Sequence, residues 1–204
     1  MAKAMSEQNP VNTKKTPSAE GIAAAARSVK GRGLPPVHLW NPPFCGDLDM
    51  RIARDGTWFY LGTPIGRPEL VRLFSTVLRR DGDDYFLVTP VEKVGITVDD
   101  APFVAVDFEV ENLGPEQEIT FETNVGDMVV ASPETPIRVV RDADTGEPSP
   151  YVLVRANLEA LIDRKSFYRL VDICVHHEVD GQSWFGLFSK GAFFPVIPSR
   201  ELAD

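Results

Sequence analysis

The octapeptide RPELVRLF at residues 67–74 returns in altered form as RKSFYRLV at residues 164–171, 97 residues later (164 minus 67). Pro68 suits the first position of a helix, where its missing N–H has no role. Behind it Leu70, Leu73, Phe74, Val77 and Leu78 fall at i, i+3, i+4, i+7 and i+8, while Arg72, Ser75, Thr76 and Arg79 face the other way. Adding 97 to the five apolar positions gives Phe167, Leu170, Val171, Cys174 and Val175, so the stripe keeps its register. The flanks repeat as well. DMRIARDGTWFYLGTPI places an Asp-Gly turn between two β-rich runs before the first helix. PIRVV and YVLVR flank the longer loop RDADTGEPSP before the second. YFLVT, GITV and PFVAVDFEVEN follow the first helix, and SWFGLFSKGAFFPV supplies closing strands after the second. In the third of these Val104, Val106, Phe108 and Val110 alternate with Ala105, Asp107, Glu109 and Glu111, so one face is wet. The pattern predicts an α+β fold built from a duplicated hairpin-helix-strand unit, with helices near 68–80 and 166–178. Each helix should pack on its own antiparallel sheet, in halves spanning residues 34–112 and 113–204.

Residues 1–33 are expected to form a disordered or weakly helical N-terminal tail. The first seventeen lack periodicity, and SAEGIAAAARSVKG offers Ser18 as an N-cap and Gly31 near a helix end. LPPVHLWNPPFCGD, with four prolines around Trp40 and Phe44, reads as an extended arm laid over a core. The net charge is -9, yet the tail carries six basic and two acidic side chains, leaving fifteen basic and twenty-eight acidic in the remainder. A folded region this acidic repels phosphate backbones and anionic membranes, which argues against nucleic acid and membrane partners. No apolar run reaches the length of a membrane span and no secretory leader is legible, so a cytoplasmic protein is expected. Cys45 and Cys174 have no CxxC spacing and are expected to be reduced.

Catalytic signatures are missing from the sequence. His176-His177-Glu178 resembles a metal string, but neighbours on a helix point about 100° apart and cannot share an ion as an i, i+4 pair can; solvated helix-end residues are the simpler reading. Cys174 sits in the apolar stripe as a small hydrophobe. Cys45 lies near Asp47 and Asp49, whose charges disfavour a thiolate. Asp83-Asp84 reads as a solvated turn, and Asp99-Asp100 as a cap before Ala101-Pro102. No metal, cofactor or catalytic residue is assigned. What remains is a polar set where the halves should meet: Arg67 and Arg164 at the helix starts, Thr89, Glu92 and Lys93 after YFLV, and Arg155 and Asn157 after YVLV. Guanidinium groups near helix N-termini hold phosphate or carboxylate, so these seven are the candidate ligand-binding residues. The alternative is that each Arg pairs with an acid of the other half and locks the two together.

CGDLDMRIARDGTWFYLGTPIGRPELVRLFSTVLRRD, YFLVTPVEKVGITVDDAPFVAV, PYVLVRANLEALIDRKSFYRLV and FSKGAFF closely resemble a bacterial family, the domain of unknown function 1285, over roughly residues 34–197. The resemblance implies two structurally repeated halves, a C-terminal half similar to pleckstrin-homology folds, a small-ligand site of nucleotide type at their interface and a role in signalling. It implies no catalytic residue. The expectation is therefore a cytoplasmic binding or regulatory protein for a small anionic or nucleotide-like ligand. The competing readings are an enzyme acting on a small phosphorylated or nucleotide substrate in the same cleft, and an adaptor that receives a protein partner segment on a sheet edge or a wet strand face.

Overall fold

The computed structural model describes residues 17–202 except 30, 32 and 115, so the tail expected over 1–17 lies, but for Pro17, outside the described residues. Helix α1 (Ala19–Ser28) begins where the sequence places its cap: the Ser18 backbone is extended and its hydroxyl accepts from the Gly21 N–H at 3.2 Å. Its stripe of Ala19, Ile22, Ala23 and Ala26 is buried. The arm that follows contains a short 3-10 turn over Val37–Leu39.

The first sheet contains β1 (Phe44–Ile52), β2 (Trp58–Tyr60), β3 (Thr63–Pro64), then, beyond helix α2 (Pro68–Thr76), β4 (Leu78–Asp81), β5 (Asp84–Val88) and β6 (Lys93–Val98). Its order is β3-β2-β1-β6-β5-β4. The Asp55-Gly56 hairpin forms as expected, pairing Met50 with Tyr60 and Ile52 with Trp58. Arg79 on β4 donates to the carbonyls of Val37 and Trp40, at 3.1 and 2.7 Å, which ties the proline-rich arm to this sheet.

The second sheet takes β7 (Phe103–Glu111), β8 (Glu118–Thr123), β9 (Met128–Val130), β10 (Ile137–Arg141), β11 (Pro148–Arg155) and β12 (Leu158–Ile162), in the order β10-β11-β12-β7-β8-β9. Helix α3 (Arg164–Val171) leads into a third sheet of β13 (Val175–Val179), β14 (Gln182–Ser189) and β15 (Ala192–Pro198). The chain is thus α+β, rich in strand, with three α-helices and two six-stranded sheets among the described residues. None of the helices is long and apolar enough to cross a membrane.

Four expectations need correction. The six-stranded sheets are not purely antiparallel, since β1 runs parallel to β6 and β12 parallel to β7. Strand β7, which the sequence reading puts in the first half, pairs with β8 and β12 in the second sheet. Phe103, Val104 and Ala105 at its start are all buried, and a register shift between Ala105 and Asp107 separates that part from the alternating remainder. Both helices are shorter than the stripe predicts. Leu78 opens β4, because Gly82 at φ +63° turns the chain into a tight hairpin with β5. Val175 opens β13, because Asp180 and Gly181 at φ +52° and +77° make another. His176, His177 and Glu178 therefore lie on a strand rather than at a helix end.

One contiguous core runs through both sheets and α1, with Ile22, Met50, Trp58, Phe74, Phe103, Phe121, Leu170 and Leu187 fully or nearly fully buried. Trp58 stacks on Phe74 at a centroid distance of 6.2 Å, which seats α2 against β2.

Candidate functional site

The polar residues near the junction divide into those with partners and those without. Arg155, at the end of β11, pairs with Asp127, donates to the Ser75 carbonyl of α2 at 2.8 Å and lies 4.7 Å over the Phe103 ring. Asn157 donates to the Arg80 carbonyl at 3.1 Å. Each makes one contact from the second half to a backbone carbonyl of the first, Ser75 and Arg80, whereas the acid that pairs with Arg155, Asp127, belongs to its own half.

The same junction holds groups that the sequence reading treats otherwise. Arg54 reaches Asp100 at 3.0 Å and Ser149 at 2.9 Å, and the Tyr151 hydroxyl donates to Asp100 at 2.7 Å. Asp100 is therefore a cross-junction acceptor rather than a turn cap. Burial, with the neighbouring Asp100 carboxylate, pushes the Tyr151 hydroxyl above its ordinary pKa. Arg72 donates to the carbonyls of Val125, at 2.7 Å, and Gly126, at 3.4 Å.

Thr89, Glu92 and Lys93 come together in one turn that leads into β6. The Thr89 side chain is fully buried, and its hydroxyl accepts from the Glu92 and Val91 N–H groups at 3.2 and 3.4 Å. Glu92 lies beside the first turn of α1, its Oε1 3.9 Å from where a Gly21 Cβ would sit. Lys93 pairs with Asp81 at 2.9 Å and covers the Phe86 ring at 4.0 Å. Hydrogen bonds from Arg79 and then Lys93 hold the Asp81 carboxyl below its ordinary pKa, against the opposing effect of burial.

Arg67 and Arg164 occupy separate hollows. Arg67 precedes α2 without capping it through its side chain, and it borders a hollow of about 460 Å3 between α1, the β2–β3 turn and α2. Ala19, Ala23, Tyr60, Ile65, Leu70 and Phe74 make most of its wall. Arg27, from the last turn of α1, stands on the same rim, as does Glu20. A second groove of about 600 Å3 continues along the two helices and shares Arg27, Arg67 and Leu70. Neither the Arg27 nor the Arg67 guanidinium has a hydrogen-bond or ion-pair partner among the described residues, and Arg67 is exposed. The sequence reading missed Arg27 because it assigned residues 1–33 to a tail. The signal lay in its position directly after the buried Ala26.

Arg164 borders a hollow of about 300 Å3 with Arg54, Glu147 and Tyr168. Its Nε donates to the Tyr168 hydroxyl at 2.9 Å. The two hollows are related by the 97-residue offset. Pro64, Ile65, Gly66, Arg67 and Leu70 line the first, and Leu161, Ile162, Asp163, Arg164 and Phe167 line the second. The helix starts differ in one respect: Asp163 caps α3 by accepting from the Ser166 N–H at 2.7 Å, whereas α2 carries no side-chain cap.

Both cysteines are free thiols. Burial pushes the Cys174 thiol up to about 12, and its sulfur donates to the Leu170 carbonyl at 3.3 Å. Cys45 is exposed on β1. Among the described residues no group of three or more His, Cys, Asp or Glu is placed to hold a metal ion.

The chain matches the family models for the N-terminal domain of DUF1285, a domain of unknown function, over residues 35–101 and for the C-terminal domain of DUF1285 over residues 102–196. The boundary between them falls just before β7. A crystal structure of a DUF1285 family protein from Silicibacter pomeroyi DSS-3 is 63% identical, covers 89% of this chain and 97% of that one, and superposes with a TM-score of 0.81. A DUF1285 family protein from Shewanella baltica OS155 is 29% identical, covers 62% of this chain and 92% of that one, with a TM-score of 0.48. No curated protein matches the chain.

Proposed function

The chain belongs to the DUF1285 family across both halves, and from that premise we propose that it is a small-ligand-binding, regulatory protein whose ligand is anionic. The ligand sits in the hollow between α1 and the start of α2, with its charged group between Arg27 and Arg67. One observation carries this reading: in a chain of net charge -9, two guanidinium groups border one partly apolar hollow and have no partner among the described residues. Arginine satisfies phosphate and carboxylate with paired donors, and the uncapped first turn of α2 adds a favourable dipole. Glu20 stands on the same rim, so the space is not uniformly positive; what it offers an anion is free donors. A nucleotide suits it, because Tyr60, Ile65 and Leu70 give a ring an apolar surface.

The proposal moves the site away from the seven residues expected at the junction. Arg67 stays in it, Arg27 joins it, and Arg155 and Asn157 serve as interlocks. We also infer that the halves arose by duplication, supported by the 97-residue offset that relates both the helix stripes and the two hollows. The pleckstrin-homology likeness and the signalling role belong to the same proposal, as the frame and the use of a ligand-sensing protein.

Isothermal titration with inorganic phosphate, pyrophosphate and adenosine monophosphate tests the site. Binding should weaken about ten- to hundredfold in Arg67→Ala, equivalent to a charge-assisted contact of about 1.5–3 kcal/mol, with the melting temperature unchanged. Undiminished affinity in that variant, or no binding of any of the three anions, would remove the hollow from consideration.

A further inference from the structure

Most sheet edges of this molecule are short or covered. β3 runs two residues and β9 three. β10 lies beside β15, so each shields the other. The edge of β4 receives Asn157 on the Arg80 carbonyl. β13 is different: it forms one edge of the three-stranded sheet, is five residues long, and is exposed from Val175 to Glu178. Its sequence VHHEV contains no Pro or Lys, which commonly blunt an edge, and a single carboxylate, Glu178, whereas β15 carries Pro195 and Pro198.

The hairpin fixes which backbone groups of β13 are free. Asp180 and Gly181 both have positive φ in a two-residue loop, so the flanking Val179 and Gln182 form a hydrogen-bonded pair. Alternation along an antiparallel ladder then turns the N–H and C=O of Val179, His177 and Val175 toward β14. Those of His176 and Glu178 point away from it, and neither residue has another backbone partner among the described residues.

The strand is also self-complementary about its centre. Antiparallel pairing of two copies centred on His177 sets Val175 against Val179, His176 against Glu178 and His177 against itself. We propose that β13 is the interface of a two-fold symmetric homodimer, in which two three-stranded sheets join edge to edge into one sheet of six strands. The outward groups of His176 and Glu178 then form two hydrogen-bonded pairs related by the axis.

The side chains fit the same register. The His176 ring is held by Phe185, at a centroid distance of 5.2 Å, and by the Ser199 hydroxyl, 2.8 Å from Nδ1. Its Nε2 and the exposed Glu178 carboxylate have no partner among the described residues, and the pairing brings them together. On the opposite face the His177 ring packs on Phe188 and Phe193, at 5.0 and 4.8 Å, so the axis would join two aromatic clusters. Val179 of the second copy would lie beside Val175, at the mouth of an apolar hollow formed with Ile173 and Phe188.

Sedimentation velocity on the full chain from about 1 to 100 μM reads the monomer–dimer equilibrium directly. The wild type should dimerise within that range. His176→Glu sets two like charges against Glu178 of the second copy and should weaken the dimer about tenfold or more. Combining His176→Glu with Glu178→Lys restores opposite charges and should recover it, with the melting temperatures of the monomers alike. A wild type that stays monomeric throughout, a dimer indifferent to His176→Glu, or a double variant that fails to recover would each overturn the proposal.

Discussion

Arg155 and Arg67 are both candidate ligand contacts in the sequence, and their surroundings differ. Arg155 is only 19% exposed, its partner Asp127 is 27% exposed, and it also holds the Ser75 carbonyl. Arg155→Ala leaves a half-buried carboxylate and a carbonyl unpaired, which costs about 2–3 kcal/mol. In a chain of this size that lowers the melting temperature by about 5–10 °C, read by calorimetry, while phosphate titrations should match the wild type. Arg67→Ala should show the reverse pattern. Asp81 supplies a pH signature. Its folded pKa is depressed by Arg79 and Lys93, so in acid the unfolded chain binds the proton more readily. The contribution is present above about pH 4, near the unfolded carboxyl value, and is lost as pH falls through the folded one. The side chain is 36% exposed, so solvent screening keeps the effect under about 1 kcal/mol. Urea midpoints measured between about pH 3 and 6 should fall less steeply in Asp81→Asn than in the wild type.

Helix α1 shows how an element's docking depends on its side-chain sizes. Three of its four buried residues are alanines, so Ile22 is the one large anchor. Ile22→Ala should remove about 2–3 kcal/mol, chiefly from the docking of α1. Amides of residues 19–28 should then exchange well before those of β1 and β6, and phosphate affinity should fall because Arg27 leaves the rim. Amides of α1 that exchange only with global unfolding in this variant would contradict that. The sequence made α1 legible through Ser18, and the first hairpin through Asp55-Gly56. It made the helix ends illegible for a physical reason: Leu78 and Val175 continue a helical stripe at i+8 but are equally good first residues of a strand. Asp180-Gly181 carries the same turn signal as Asp55-Gly56, and weighing it would have ended α3 early and placed His176 and His177 on β13. The parallel pairings β1–β6 and β12–β7 join strands far apart in the chain, and no local pattern marks them. For the proposed site, Arg67 was legible as a helix-start arginine. Arg27 was not, because its value depends on α1 folding back on α2.

The two family-matched halves are joined by interdigitated contacts, which bears on whether they unfold together. The tip of the first hairpin enters the second half at Asn124, whose amide donates to the Gly56 carbonyl at 3.3 Å and whose carbonyl accepts from the Val104 N–H at 3.0 Å. Arg54, through Ser149, and Arg72 reach across the same junction, and the apolar core is continuous beneath it. Gly56 is a tight point of this junction. Its φ of +82° disfavours any side chain, and a Cβ there would come within 2.5 Å of the Asn124 amide nitrogen and 3.0 Å of a Val104 methyl. Gly56→Ala should therefore cost about 2 kcal/mol or more, through backbone strain and displacement of Asn124. The loss should be felt in both halves, because the residue that must move belongs to the second. Trp58 and Trp184 report on the two halves separately once the other tryptophans are replaced by Phe. Urea titrations of the two single-tryptophan proteins should give coincident midpoints, and Gly56→Ala should lower both by the same amount. If Gly56→Ala lowers the Trp58 midpoint and leaves that of Trp184 in place, the halves are independent folding units, and the contacts at Asn124 and Arg54 do not couple them.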